Sequence, residues 1–237
     1  MKKHIPNMIT CCNLICGCVA IVFALKGQPS MALLFIVLGA VFDFFDGMSA
    51  RLLGVSSPIG KELDSLADVV TFGVAPSTIV FAFLNTHLSA VNPQLSVLSY
   101  LAFVMAAFSA LRLAKFNLDE RQAMGFIGLP TPANALFWGS LITRLHFQTM
   151  FEPYHLPIYI YYGIVLMLLV SCYLLVAELP LFALKFKHWG WKGNEVKYIF
   201  LLTSALLILA LGVIGIAAVI AWYVVLAVVV ARRPSAS

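Results

Sequence analysis

The sequence reads as an all-α integral membrane protein, a single polytopic helical bundle of about eight transmembrane helices. Of 237 residues, 62% are hydrophobic and only 11% charged, and the mean hydropathy is +0.99. A soluble domain carries about 25% charged residues. The apolar residues also come in long unbroken runs, as spanning helices require. A transmembrane β-barrel would need short alternating segments, and these are absent.

Eight apolar segments follow in order: 5–25, 31–53, 63–84, 95–116, 131–147, 156–184, 196–212 and 213–231. The first follows the basic start Met1-Lys-Lys-His, like a signal peptide. It has no small-x-small cleavage site, and Asn7, Thr10 and Asn13 interrupt it, so it reads as a retained helix. Gly54, Val55, Ser56, Ser57 and Pro58 break the chain between the second and third segments. Pro130 and Pro132 stop any helix before the fifth. The last two segments form one apolar run of 36 residues, too long for one span, and divide near Gly212 and Gly215. Six or seven spans are the alternative counts. The polar connections are too short for a separate soluble domain, so residues 1–237 form one membrane domain. Pro234-Ser-Ala-Ser237 reads as a short disordered tail.

Net charge is +5, and its distribution sets an orientation. With eight spans, one side receives Lys2, Lys3, Arg51, Lys61, Arg112, Lys115, Arg121, Lys185, Lys187, Lys192, Lys197, Arg232 and Arg233; the other receives Lys26 and Arg144. Thirteen against two marks the first side as cytoplasmic. The expected location is the cytoplasmic (inner) cell membrane. The basic residues sit on membrane flanks, so nucleic acid is not an expected partner. Lys185-Phe-Lys187-His-Trp-Gly-Trp191-Lys192 reads as an interfacial anchor among membrane lipids. Four of five cysteines (Cys11, Cys12, Cys16, Cys18) fall in the first span. Their spacing matches no zinc or iron–sulfur pattern, so they read as small apolar packing residues.

The chemistry concentrates in one stretch. Asp43-Phe-Phe-Asp46-Gly47-Met-Ser-Ala50-Arg51 is followed, after eight residues, by Gly60-Lys-Glu-Leu-Asp64-Ser-Leu-Ala-Asp68. It holds four of the five aspartates. Carboxylates near a bilayer are costly unless offset by positive charge. Residues three and four apart share a helix face, so Asp43, Asp46, Gly47 and Ala50 form one stripe and Gly60, Asp64 and Asp68 a second. Two facing stripes make an all-oxygen pocket suited to Mg²⁺ or Mn²⁺. Two such ions about 4 Å apart neutralise a pyrophosphate, and one carboxylate aimed at a nucleophile takes its proton. Small residues at 47, 50 and 60 let helices or a bulky ligand approach closely, and Arg51 is placed to contact anionic oxygen.

Asp-x-x-Asp-Gly-x-x-Ala-Arg, eight residues, then Gly-x-x-x-Asp-x-x-x-Asp resembles the motif of the CDP-alcohol phosphotransferases, with all eight defining positions present. The resemblance implies a two-metal site with Asp43, Asp46, Asp64 and Asp68 as ligands and Asp68 also as general base. It implies that Gly47, Ala50, Arg51 and Gly60 contact the CMP portion and pyrophosphate, and that Ser57 contacts the nucleotide. Pro6-Asn7-x-x-Thr10 is similar to a stretch that closes over the nucleotide in the family. Asn7 and Thr10 are therefore further binding candidates, although Asn7 also suits a helix cap.

Arg112-Leu-Ala-Lys115-Phe116-Asn117, Gly128-Leu-Pro130-Thr-Pro132 and Phe72-Gly-Val-Ala-Pro76 resemble the multi-spanning branch of the family that uses serine as acceptor. The family pattern covers about 1–132 as a catalytic core, with further helices over 133–237. Its donor would be CDP-diacylglycerol and its acceptor L-serine, with a homodimer as the family's assembly. A zwitterionic acceptor needs a cation for its carboxylate and oxygens for its ammonium, for which Arg112, Lys115 and Asn117 are candidates. Lys115 stands where the branch usually has arginine and lacks the planar fork. Rival readings keep the chemistry with glycerol 3-phosphate or inositol phosphate as acceptor, or make the aspartates part of an ion or metal transporter.

Overall fold

The computed structural model describes residues 4–55, 57–118, 126–151, 156–181, 190–191 and 194–231. Among these the chain forms eight helical rods and one minimal strand pair. The basic loop 185–192 lies outside the described residues except for Gly190 and Trp191, whose ring stacks on Tyr198 at 5.5 Å. Lys2, Lys3, Arg121, Arg232, Arg233 and the 234–237 tail also lie outside them.

Helix α1 (Ile5–Leu25) and helix α2 (Pro29–Leu53) form a tight antiparallel hairpin. Small residues are frequent among their buried positions, with Cys16, Gly17, Ala20 and Ala24 on α1 and Ala32 and Gly39 on α2, and a Cβ on Gly39 would lie 3.6 Å from Cys16 Cβ. Such faces let backbones approach closely in a membrane, where association relies on contact rather than on expulsion of water. Helix α2 ends at Gly54, whose φ of +62° is left-handed. Ser57 then caps α3 (Pro58–Asp68), with Pro58 in the first turn.

The third rod does not stop at Asp68. It continues through a π-helical turn (Val69–Val74) into α4 (Ala75–Val91), making one rod of 34 residues, Pro58–Val91. Pro76 accounts for the wide turn. It has no N–H for the carbonyl of Phe72, its ring crowds that carbonyl, and a π-turn relieves the crowding. The sequence expectation for this segment, 63–84, was short at both ends. The first turns carry Lys61 and Glu62, which a hydropathy reading leaves out of an apolar segment.

A 3₁₀ segment (Pro93–Leu101) leads into α5 (Ala102–Leu118). Strand β1 (Phe126–Ile127) pairs antiparallel with β2 (Pro180–Leu181), a small departure from the all-α expectation. Between β1 and α6 (Thr131–Phe151), Gly128 adopts φ +77°. A Cβ there would lie 2.8 Å from the Leu175 carbonyl oxygen, so only glycine fits. Helix α7 (Ile158–Val176) is shorter than the expected 156–184, because the chain turns extended at Ala177 ahead of Pro180. Helices α8 (Glu195–Leu211) and α9 (Val213–Ala231) divide at Gly212, φ +62°, where the long apolar run was expected to break.

The third rod is the centre of the bundle, with Phe72, Ile79, Val80 and Leu84 in the core beside Trp138 of α6 and Leu168 of α7. The Trp138 indole donates to Ser171 Oγ at 3.1 Å. Six of the eight rods are long and apolar enough to cross a membrane. The other two are α8, at 17 residues, and α6, which carries Asn134, Thr143, Arg144, His146 and Gln148. The chain is thus a polytopic helical membrane protein of the expected class.

Candidate active site

Helix α2 brings Asp43 and Asp46 to its last three turns, and α3 carries Asp64 and Asp68 into the bundle beside them. One carboxylate oxygen each from Asp43, Asp64 and Asp68 lies within 4.8 Å of the others. Asp46 is engaged from α1: Thr10 Oγ1 donates to its Oδ2 at 2.7 Å, the hydroxyl also lying 3.0 Å from the Pro6 carbonyl. Asp68 is engaged from the same helix, with Asn13 Nδ2 donating to Oδ1 at 3.1 Å. Asp46 and Asp68 are buried, while Asp43 and Asp64 are half-buried. The two facing stripes expected from helical spacing are therefore present, with a third helix supplying hydrogen-bond donors that the motif itself lacks.

This cluster fits a divalent cation. The converging donors are all carboxylate oxygen, the set that hard cations prefer. Asp64 Oδ1 is buried without a hydrogen-bond partner, and a buried carboxylate oxygen of that kind requires a positive or protic neighbour.

Beside the aspartates opens a cleft of about 440 Å³. Asn7, Thr10, Gly47, Ala50, Arg51, Ser57 and Gly60 all line it, together with Asp46 and Asp64. All the residues assigned to the CDP-lipid are thus brought to one cavity. Nothing lies within 4 Å of a Cβ built on Gly47, so its missing side chain is cleft space. Gly60 is tight instead: a Cβ would meet Ser57 Oγ at 3.0 Å and Asn7 Oδ1 at 3.1 Å. Arg51 is exposed at the rim, and its Nε donates to the Gly47 carbonyl at 3.0 Å. Asn7 is not the cap of α1, since the N-cap is His4 and Asn7 stands inside the first turn. Ser57 is a cap: its Oγ accepts from Gly60 N at 3.0 Å while also facing the cleft. Lys61, Val55 and Gly54 line the cleft as well and were not among the expected residues.

The three acceptor candidates separate. Arg112 is buried, its Nε has no hydrogen-bond partner, and its guanidinium sits 5.9 Å over the Phe116 ring. Lys115 is exposed. Asn117 is used structurally: its Nδ2 donates to Ser65 Oγ at 2.7 Å, and its carbonyl accepts from Lys61 Nζ at 3.1 Å, clasping the end of α5 to α3. Asn13 and Thr71 are the site residues that motif reading did not assign. In the sequence Asn13 stands out only as an interruption of the first apolar segment, and its contact with Asp68 spans 55 positions in the chain.

Fold and site together define a polytopic helical membrane protein with a carboxylate-built candidate metal centre beside a cleft that Arg51 and Lys61 also line. The chain belongs to the CDP-alcohol phosphatidyltransferase family, whose profile matches residues 3–184. It is similar to the CDP-diacylglycerol–serine O-phosphatidyltransferase of Bacillus subtilis (strain 168), 44% identical over 130 residues, covering 55% of this chain and 70% of that protein. It is also similar to enzymes of the same name from Helicobacter pylori (strain J99), 38% identical over 133 residues, and Saccharomyces cerevisiae, 41% over 147. Those alignments cover 55% and 54% of this chain and only 54% and 50% of the two relatives, about half their length.

Proposed function

We propose that the chain transfers the phosphatidyl group of CDP-diacylglycerol to the hydroxyl of L-serine, giving phosphatidylserine and CMP. The observation that carries this reading is the convergence of Asp43, Asp64 and Asp68 beside a cleft that Asp46 and Asp64 line together with every residue assigned to the CDP-lipid. The names of the similar proteins support serine as the acceptor.

In this reading Asp43, Asp46, Asp64 and Asp68 hold two divalent ions, Mg²⁺ or Mn²⁺. When bound, such ions supply charge neutralisation to the pyrophosphate oxygens. The cleft takes the CDP moiety, with Gly47 giving it access to the backbone and Arg51 meeting phosphate at the rim. Arg112 meets the serine carboxylate. Asp68 Oδ1 is committed to Asn13, so Oδ2 is the atom that accepts the serine hydroxyl proton. The serine oxygen bonds to the phosphorus next to diacylglycerol as the P–O bond to CMP breaks, and CMP carries away the electron pair. Direct displacement needs no phosphoenzyme.

Among the acceptor candidates Arg112 is the one buried cation. That suits a zwitterion with a single carboxylate better than a doubly charged phosphate acceptor, which calls for a denser basic pocket. In this reading the cleft faces the cytoplasmic side of the cell membrane, which the excess of basic flanking residues supports, and CDP-diacylglycerol enters from the surrounding lipid. A homodimer, implied by the family, completes the reading; light scattering on the detergent-solubilised chain tests it. The deciding experiment measures CMP release from CDP-diacylglycerol with Mg²⁺ or Mn²⁺ against serine, glycerol 3-phosphate and inositol phosphate. Serine-dependent release is expected. Metal flux into vesicles without CMP release would instead identify a transporter.

A further inference from the structure

We propose that Asn13 is a positioning residue for Asp68: by holding one carboxylate oxygen it aims the other at the acceptor. This rests on the phosphotransfer reading above and deepens it at the general base.

Asn13 lies in the middle of α1 and is fully buried, with 0% of its surface exposed. An asparagine inside a membrane bundle is costly unless its polar atoms are used. Its Nδ2 is used on Asp68 Oδ1, while its own Oδ1 has no partner. The amide orientation follows from chemistry, since the reverse would set two acceptor oxygens face to face. A residue kept only to join helices would do better with both ends satisfied, whereas here one end is left unpaired and the other spent on the carboxylate.

The surroundings fix Asn13 in place. Thr71, on the π-turn just after Asp68, donates its hydroxyl to the Asn13 carbonyl at 3.0 Å. Thr71 itself sits in a notch made by two glycines. A Cβ on Gly17 would lie 2.5 Å from Thr71 Oγ1, and one on Gly39 would lie 2.5 Å from Thr71 Cγ2 and 2.9 Å from Asn13 Oδ1. Helices α1 and α2 and the π-turn therefore meet at one level, and Asn13 is enclosed there. Three fixed points result: Thr71 sets the Asn13 backbone, Gly39 walls its side chain, and Nδ2 sets Asp68. The oxygen left on Asp68 is thereby directed, not merely present. Geometric precision of this kind acts on turnover more than on donor binding.

The test uses the full chain in detergent with CDP-diacylglycerol, serine and Mn²⁺, comparing wild type with Asn13→Ala and Asn13→Leu. The leucine variant keeps the volume of the site and guards against collapse. Expected is a fall in kcat of about 10- to 100-fold, the loss typical for a hydrogen bond to a charged group. The donor KM, and the thermal midpoint of the metal-free protein, should stay close to wild type. Thr71→Val, which removes only a hydroxyl, should lower kcat in the same sense but less. The proposal is overturned if Asn13→Leu folds and turns over within about twofold of wild type. It is equally overturned if kcat falls only in step with a lower thermal midpoint, or if the donor KM rises as far as kcat drops. If Asn13→Ala and Asn13→Leu both fail to fold, Thr71→Val decides, and an unchanged kcat there overturns the idea. Failure of the underlying reading looks different: wild type itself would release no CMP with any alcohol.

Discussion

The hydroxyl of Thr10 donates to Asp46 Oδ2 at 2.7 Å, tying the first turns of α1 to the carboxylate stripe of α2. Both residues line the cleft. The contact orients a candidate metal ligand from outside the motif, and partners of that kind typically contribute 10- to 100-fold to metal affinity. Thr10→Val should therefore raise the Mn²⁺ concentration for half-maximal CMP release by about 10-fold or more, and Thr10→Ser should restore it. A metal titration of activity, repeated by following Mn²⁺ binding directly, checks this. An unchanged titration in Thr10→Val would separate Asp46 from metal binding.

Gly47 and Gly60 make opposite predictions although both belong to the motif. The space above Gly47 is open cleft, so Gly47→Val should leave the thermal midpoint near wild type and raise the KM for CDP-diacylglycerol about 10-fold or more. At Gly60 a Cβ presses on Ser57 Oγ and Asn7 Oδ1. Gly60→Ala should therefore disturb the α3 cap and lower the thermal midpoint as well as activity. Paired melting curves and donor titrations distinguish the two cases. Equal stability losses at both positions would contradict the open-space account of Gly47.

How much of this was legible in the sequence depends on the range of the interaction. The aspartate stripes were legible because three- and four-residue spacing decides a helix face without tertiary information. The division at Gly212 was legible because a 36-residue apolar run exceeds one span. The Asn13–Asp68 contact and the Thr71 notch were not, since they depend on which helices meet and at what height. The π-turn was missed although Pro76 was in view: a proline marks a disturbed helix but not whether it kinks, stops or widens. The contact of Asn117 Nδ2 with Ser65 was not legible for the same reason, since it joins residues 52 positions apart.

Ser57 combines two roles, and its substitution separates them. It accepts from Gly60 N as the cap of α3 and faces the cleft. Ser57→Ala should destabilise the protein by about 0.5–2 kcal/mol through the lost cap. Ser57→Asp retains a capping oxygen but sets a negative charge in the cleft proposed to take a pyrophosphate. It should melt near wild type yet bind CDP-diacylglycerol more weakly than Ser57→Ala does. Thermal unfolding and donor KM on the pair provide the check. The reverse order of donor affinities would argue against an anionic ligand in this cleft.

Asp68 and Arg112 carry the last prediction, because the proposed function divides the acceptor's two ends between them. Asp68→Asn keeps the shape of the side chain but has no basic oxygen to take a proton. It should abolish transfer while leaving a folded, membrane-inserted protein, and near-normal turnover would remove Asp68 as the base. Arg112→Gln keeps a polar side chain and loses the charge. It should raise the serine KM about 10- to 100-fold with little change in the donor KM, since Arg112 lies outside the cleft lining. The same variant should discriminate less against alcohols without a carboxylate, such as ethanolamine, because its penalty falls on the group that they lack. Acceptor titrations at saturating donor give both numbers. A rise in donor KM with serine KM unchanged would place Arg112 on the CDP-lipid and leave the acceptor carboxylate to be met elsewhere.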